Sequence, residues 1–250
     1  MDKYTDRFYR SFGDHSRLVY YHVVVGESDL WIGIDASSAN ESLAETALEL
    51  TVEARSDVLK AIEESPDFRT ALSPLEDHPS FPQPMTEASR KAGTGPMAAV
   101  AGFIADRVNE GLCSLFTPKK LLVENGGDIS AWAEDEIRVG IFAGSSPLSG
   151  RLGVTVPCLG KRRGICTSSG SVGHSLSFGK ADAAVIICES AALADAYATA
   201  AANRIHTRYD LSVVIEELKA EPRILGSILI FGEEIAVAGG CPLYARREEP

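Results

Sequence analysis

Two runs near the start of the chain are dense in β-branched and aromatic residues, LVYYHVVV (Leu18–Val25) and LWIGI (Leu30–Ile34). They are parted by Gly-Glu-Ser-Asp, so residues 4–34 read as a β-hairpin or meander. The period then changes. Leu43, Ala47, Leu50, Ala54, Val58, Ala61 and Ile62 recur at three- and four-residue spacings, which predicts a helix over roughly Glu41–Glu64, capped from within Asp35–Ala39. Glu45, Glu49, Glu53 and Asp57 fall on its other face, which reads as solvated. Residues 65–86 carry Pro66, Pro74, Pro79, Pro82 and Pro84 and read as a long loop inside one domain of 1–250.

Lys91–Gly111 (KAGTGPMAAVAGFIADRVNEG) is a glycine-rich turn running into a helix, with Pro96 suited to the first turn. Lys120–Ala133 (KLLVENGGDISAWA) holds an apolar strand, Asn-Gly, and a second strand from Ile129. Ile137–Ala143 and Arg151–Pro157 read as further strands. Gly164–Asn203 joins a Ser/Thr/Gly turn, an apolar strand and a helix made mostly of alanine. Residues 209–220 give a short helix, and RILGSILIFG with EEIAVAGG a closing hairpin. Strands, helix, helix, many strands, alanine helix, strands is an α+β order with mostly antiparallel sheet.

Composition narrows the function classes. The 250 residues carry a formal charge of −11, which excludes a general nucleic-acid binder because nothing would neutralise a run of phosphates. The run Lys161–Arg163 reads as a solvated strand end. No stretch reaches the ~20 apolar residues of a membrane helix, and the first residues lack a secretory apolar core. Five widely spaced cysteines form no Cys-x-x-Cys. A cytoplasmic protein with reduced thiols is expected.

Candidate chemistry concentrates in three places. Asn125, Gly126, Gly127 and Asp128 form a polar turn. Thr167, Ser168, Ser169, Gly170 and Ser171 combine hydroxyls with flexible backbone, which suits phosphate or the polar edge of a nucleotide, although solvated turn residues read the same way. Asp195 and Thr199 are four apart and share a helix face, a hard-oxygen pair suited to Mg²⁺ or a plain hydrogen-bonded pair in a tight helix contact. His174 is the candidate catalytic residue, but no Gly-x-Ser-x-Gly elbow accompanies it. Cys166 would need cationic neighbours or a helix N-terminus to act as a persulfide carrier, and otherwise reads as a buried small residue.

GTGPMAAVAGFIADRV, ENGGDI and a Thr-Ser-Ser-Gly turn followed by ADAYAT, in that order, resemble the ApbE-like superfamily, whose best-known members are FAD:protein FMN transferases. The resemblance implies a T-fold-like single domain, an FAD or FMN ligand at the first pieces, and Mg²⁺ held by Asp195 and Thr199. TSSGSVGHSLSFGKADA is similar to a cytoplasmic ApbE-like family of archaea and anaerobic bacteria, associated with sulfide-dependent homocysteine formation. That implies a small nucleotide or phosphate ligand, a protein partner in sulfur metabolism and a homo-oligomer. Two departures count against FMN transfer. Met97–Ala101 has no Lys where the transferases carry one, and Ser177 stands where their His-x-x-Asp run has the Asp. Mg-dependent FMN transfer and a non-catalytic partner-binding subunit remain the alternatives.

Overall fold

The computed structural model describes residues 18–170 and 179–246. The first hairpin is β1 (Leu18–Val25) and β2 (Ser28–Asp35). A helical excursion follows: α1 (Leu43–Glu64), α2 (Asp67–Thr70), α3 (Gln83–Ala92), a 3₁₀ turn at Pro96–Ala99, and α4 (Val100–Phe116). Next come β3 (Lys120–Asn125), β4 (Asp128–Ala133), β5 (Glu136–Gly140), β6 (Leu152–Pro157), β7 (Lys161–Ser168) and β8 (Ala183–Cys188). The chain then forms α5 (Ala191–Arg204), α6 (Asp210–Ala220), β9 (Ile224–Phe231), β10 (Glu234–Gly239) and β11 (Leu243–Ala245).

Eight strands make one antiparallel sheet in the order β1-β2-β3-β4-β7-β8-β9-β10. It is two similar halves side by side. In each, a hairpin leads into helices and a second hairpin returns beside the first. All the helices lie on one face, over Leu30, Ile32, Ile34, Leu121, Val123, Cys166, Ile186 and Leu229. The other face of the second half is covered by a small sheet, β11-β6-β5, over Ile165, Val185, Ile187, Ile228 and Ile230. Central β8 is therefore covered on both sides, and its sequence AAVIIC is apolar at every position rather than alternating.

The α+β class with mostly antiparallel sheet stands, and Glu45, Glu49, Glu53 and Asp57 are exposed on α1 as expected. The reading of 65–86 as loop is corrected. Phe68 of α2 is fully buried and packs on Phe81 with ring centroids 4.6 Å apart. Pro82 precedes α3 and Pro84 lies in its first turn, where a missing N–H leaves no hydrogen bond unmade. Only the stretch between α2 and α3 is loop. Strand β11 was not expected, because three residues give no periodicity to read. The segment before Leu18, and Ser171, His174 and Ser177, lie outside the described residues.

The alanine helix α5 sits where side chains are nearly absent. Ser190 caps it, its hydroxyl accepting from Leu193 N at 3.3 Å. A Cβ on Gly164 of β7 would overlap the Ser190 carbonyl, and one on Gly102 of α4 would overlap the Ala191 carbonyl. Glycine at these two positions lets α5 rest on backbone from both sides, and its alanines complete the contact.

Candidate functional site

The β3–β4 turn has Gly126 at φ 70° and Gly127 at φ 105°, the left-handed backbone that an Asn-Gly-Gly hairpin turn needs. It does more than reverse the chain. Asn125 and Asp128 face each other in register and both are buried. The Asn125 amide donates from Nδ2 to the carbonyl of Ala101 at 3.2 Å, which ties the turn to the start of α4. Its Oδ1 faces Asp29 N at 3.4 Å. Glu124, also buried, accepts from Gly127 N at 2.9 Å.

Asp128 is paired in register with Cys166 on β7. Burial raises the Asp128 carboxyl well above the usual carboxylate range, and the charge of Asp195 raises it further; the Cys166 thiol and the Thr167 N–H act the other way. Asp195, in the second turn of α5, is pushed up to about 7, first by burial and then by Asp106; the Gly102 and Ala101 N–H groups oppose the rise. Gly102 N donates to Asp195 Oδ2 at 3.0 Å, so this carboxylate caps the N-terminal end of α4. Among the described residues, no cationic side chain is among the groups that act on Asp128 or Asp195.

The fold thus brings together Asn125, Asp128, Thr167 and Asp195 from β3, β4, β7 and α5. Thr199 is one turn further along α5, half-buried. Gly126 is exposed at the tip of the turn, and Thr167 and Ser168 are half-buried at the end of β7. Ser169 and Gly170 lie just beyond, held by the Ala181 carbonyl at 3.4 Å from the Ser169 hydroxyl and 2.8 Å from Gly170 N. His22 is engaged elsewhere in the sheet, Nε2 lying 2.7 Å from Asp29 Oδ1.

Of the two readings of Cys166, the structure agrees with the buried small residue and not with the persulfide carrier. The thiol is fully buried, donates to the Ala191 carbonyl at 3.3 Å, and is pushed well above its ordinary pKa by burial and by Asp128, Asp195 and Asp106. A carrier needs the opposite shift. The solvated-strand reading of Lys161–Arg163 holds for Lys161 and fails for Arg162. Arg162 Nη1 lies 2.8 Å from Glu110 Oε1, and its Nε 3.5 Å from Asp106 Oδ1.

Asp106 is the residue that sequence reasoning missed. It is buried on α4 and accepts from Ser130 Oγ at 2.7 Å and from Ala192 N at 3.0 Å. A signal was present: in Phe103–Val108 it is the one acidic residue inside an apolar run, at a position facing the core.

Mg²⁺ is commonly held by one or two carboxylates, with water and substrate phosphate completing its shell. Asp128 and Asp195 fit that pattern: two hard oxygen donors, both buried, with no neutralising cation among the described residues. Among the described residues no group of three or more His, Cys, Asp or Glu is placed to hold a metal ion. A surface cavity of about 280 Å³ lies apart from this pair, between α3 and the start of α5, lined by Gln83, Glu87, Lys91, Ser190 and Leu193 among others. No described helix is long and apolar enough to cross a membrane.

An eight-stranded antiparallel sheet in two halves with helices on one face defines an ApbE-type fold. The ApbE protein of Thermotoga maritima superposes with a TM-score of 0.62 at 12% identity, covering 89% of this chain and 97% of that one. The apo flavinyl transferase ApbE of Pseudomonas stutzeri superposes with a TM-score of 0.52 at 13% identity, covering 89% and 94%. At such identities the likeness is one of fold. Sequence places the chain more narrowly: residues 10–221 match the family described as AbpE bacteria, and the chain belongs to that family. A UPF0280 protein of Methanocella arvoryzae is 39% identical over 211 residues, 83% of this chain and 85% of the relative.

Proposed function

We propose that the chain binds a flavin nucleotide or a related phosphate-bearing nucleotide beside Asp128 and Asp195, with Mg²⁺ between protein and phosphate. The observation that carries this reading is the buried carboxylate pair itself. Two buried carboxyls, both raised by burial, Asp128 also by the charge of Asp195 and Asp195 by that of Asp106, are a standing instability in an isolated protein. A divalent cation turns that repulsion into attraction, and supplies a positive charge that draws a diphosphate. Asn125 sets the turn that carries Asp128. Thr167 and Ser168, at the adjacent end of β7, add N–H and hydroxyl donors for phosphate oxygens. The Pseudomonas stutzeri neighbour is a flavinyl transferase, which supports a flavin as the ligand.

Binding is favoured over FMN transfer, because the transferase Lys has no counterpart in Met97–Ala101. A cytoplasmic role in sulfide-dependent homocysteine formation, alongside a protein partner and as a homo-oligomer, extends this reading by resemblance. Titration calorimetry with FAD, FMN and ADP, each with and without Mg²⁺, tests the core of it. Mg²⁺-dependent binding of at least one, weakened 100-fold or more in Asp128→Asn and Asp195→Asn, is the expected result. No heat with any of the three in the presence of Mg²⁺ overturns it.

A further inference from the structure

We infer that Asp106 is a positioning residue that places Asp195 by holding the start of α5, and that it is not itself a ligand. Helices α4 and α5 cap each other where their N-terminal ends meet. Asp195 of α5 accepts from Gly102 N of α4, and Asp106 of α4 accepts from Ala192 N of α5, both at 3.0 Å. The backbones touch between these two bonds, since a Cβ at Gly102 would run into the Ala191 carbonyl. Neither helix end can shift without straining the bond made by the other.

The circuit is also anchored to the sheet through Asp106. The second oxygen of Asp106 accepts from Ser130 Oγ at 2.7 Å, and Ser130 lies on β4 two residues from Asp128. The Ser130 carbonyl in turn accepts from Asn109 Nδ2 at 3.0 Å. Arg162 of β7 flanks Asp106 as well. A path of hydrogen bonds therefore runs from the strand that carries Asp128, through Ser130 and Asp106, to the first turn of α5, and so to Asp195. Its consequence is that the spacing of the two site carboxylates is set by a third that touches neither ligand nor cation. Partners of this kind, one step behind the ligating groups, commonly change metal affinity 10- to 100-fold.

The cation part of this inference rests on the proposed function; the positioning part does not, and the experiment separates them. Gly102 N–H donates to Asp195, so its exchange with solvent reports where that carboxylate sits. Residue-resolved amide exchange is measured in the wild type, Asp106→Ala, Asp106→Asn and Ser130→Ala, together with Mn²⁺ affinity. Asp106→Ala is expected to speed exchange at both Ala192 and Gly102 at least 10-fold and to weaken Mn²⁺ 10- to 100-fold. Asp106→Asn, which keeps an acceptor for Ala192, is expected to restore most of the Gly102 protection. Loss of protection at Ala192 with Gly102 unchanged overturns the inference. Should Asp106→Ala fail to fold, Ser130→Ala decides: it must speed Gly102 exchange measurably, and an unchanged rate overturns the inference. A wild type that binds no Mn²⁺ removes the cation reading above, and the amide rates still settle the role of Asp106.

Discussion

Asp106 and Asp195 occupy matching places on the two helices that cross above the sheet. Each is buried, each accepts a backbone N–H from the first turn of the other helix, and each has its carboxyl raised by burial. They differ in what stands beside them. Asp106 has the Arg162 guanidinium, which pulls its carboxyl back down, and the Ser130 hydroxyl. Asp195 has Asp128, a second acid. A guanidinium partly offsets one carboxylate, and among the described residues the groups acting on its counterpart include no cation. Compensated charge is scaffold. Under the proposed function, the uncompensated buried carboxyls are where something outside the chain would complete the charge.

The largest effect expected from this contrast is a pH dependence carried by Asp195. The Asp195 carboxyl rises from 3.8 unfolded to about 7 folded. A raised carboxyl means that the native state holds the proton more tightly, so stability is full below the unfolded value and is lost as pH climbs through the folded one. The change corresponds to about 4 kcal/mol as an upper figure. Urea titrations of the metal-free protein at pH 5 and pH 8 are expected to show the wild type weakening relative to Asp195→Asn across that window. Mg²⁺ should recover the difference at pH 8. Parallel pH profiles for the two proteins would place Asp195 among ordinary carboxylates and end the contrast.

The Asp106 side is broken from its cationic partner. Arg162→Ala leaves Asp106 buried beside hydrogen-bond donors but without its counter-charge. Removing one member of a buried pair typically destabilises by 3–5 kcal/mol, and the partial exposure of Arg162 puts the expectation at about 3 kcal/mol. In a chain of this size that is a fall in Tm of roughly 6–12 °C. Thermal unfolding followed by circular dichroism measures it, and a loss below about 1 kcal/mol would show that Arg162 is not what balances Asp106.

The two sides were unequally legible in the sequence. Asn125–Asp128 and Asp195/Thr199 stood out as candidates because they are local: an Asn-Gly turn and an i, i+4 spacing are written within a few residues of each other. The alanine helix was equally plain, although the reason for its alanines, the glycine backbone of α4 and β7 beneath it, is tertiary. Asp106 was legible only as a lone acidic residue in an apolar run, and its role was not. Its partners Ser130 and Ala192 are 24 and 86 residues away, and nothing in its neighbourhood announces them. Arg162 was hidden by its neighbours, for three consecutive basic residues on a strand look alike until alternation sends them to different faces. The proline-rich stretch misled for a related reason: proline marks both loops and first turns of helices, and only the burial of Phe68 and Met85 tells the two apart.

The smallest effect sharpens the contrast from its edge. Glu110 lies 2.8 Å from Arg162 Nη1, closer than Asp106 lies to Nε, and distance alone would rank it the stronger partner. Its side chain is 54% exposed against 10% for Asp106, however, so water screens the pair and Glu110 loses little hydration if the contact breaks. Glu110→Gln is therefore expected to lower stability by less than about 1 kcal/mol and to leave Mn²⁺ affinity within twofold of wild type. Arg162 would still be held against Asp106 by the charge that is buried. Chemical denaturation of Glu110→Gln beside Arg162→Ala makes the comparison directly. If the two variants lose equal stability, the guanidinium serves Glu110 at the surface, and the neutralised carboxylate on which the contrast depends is not Asp106.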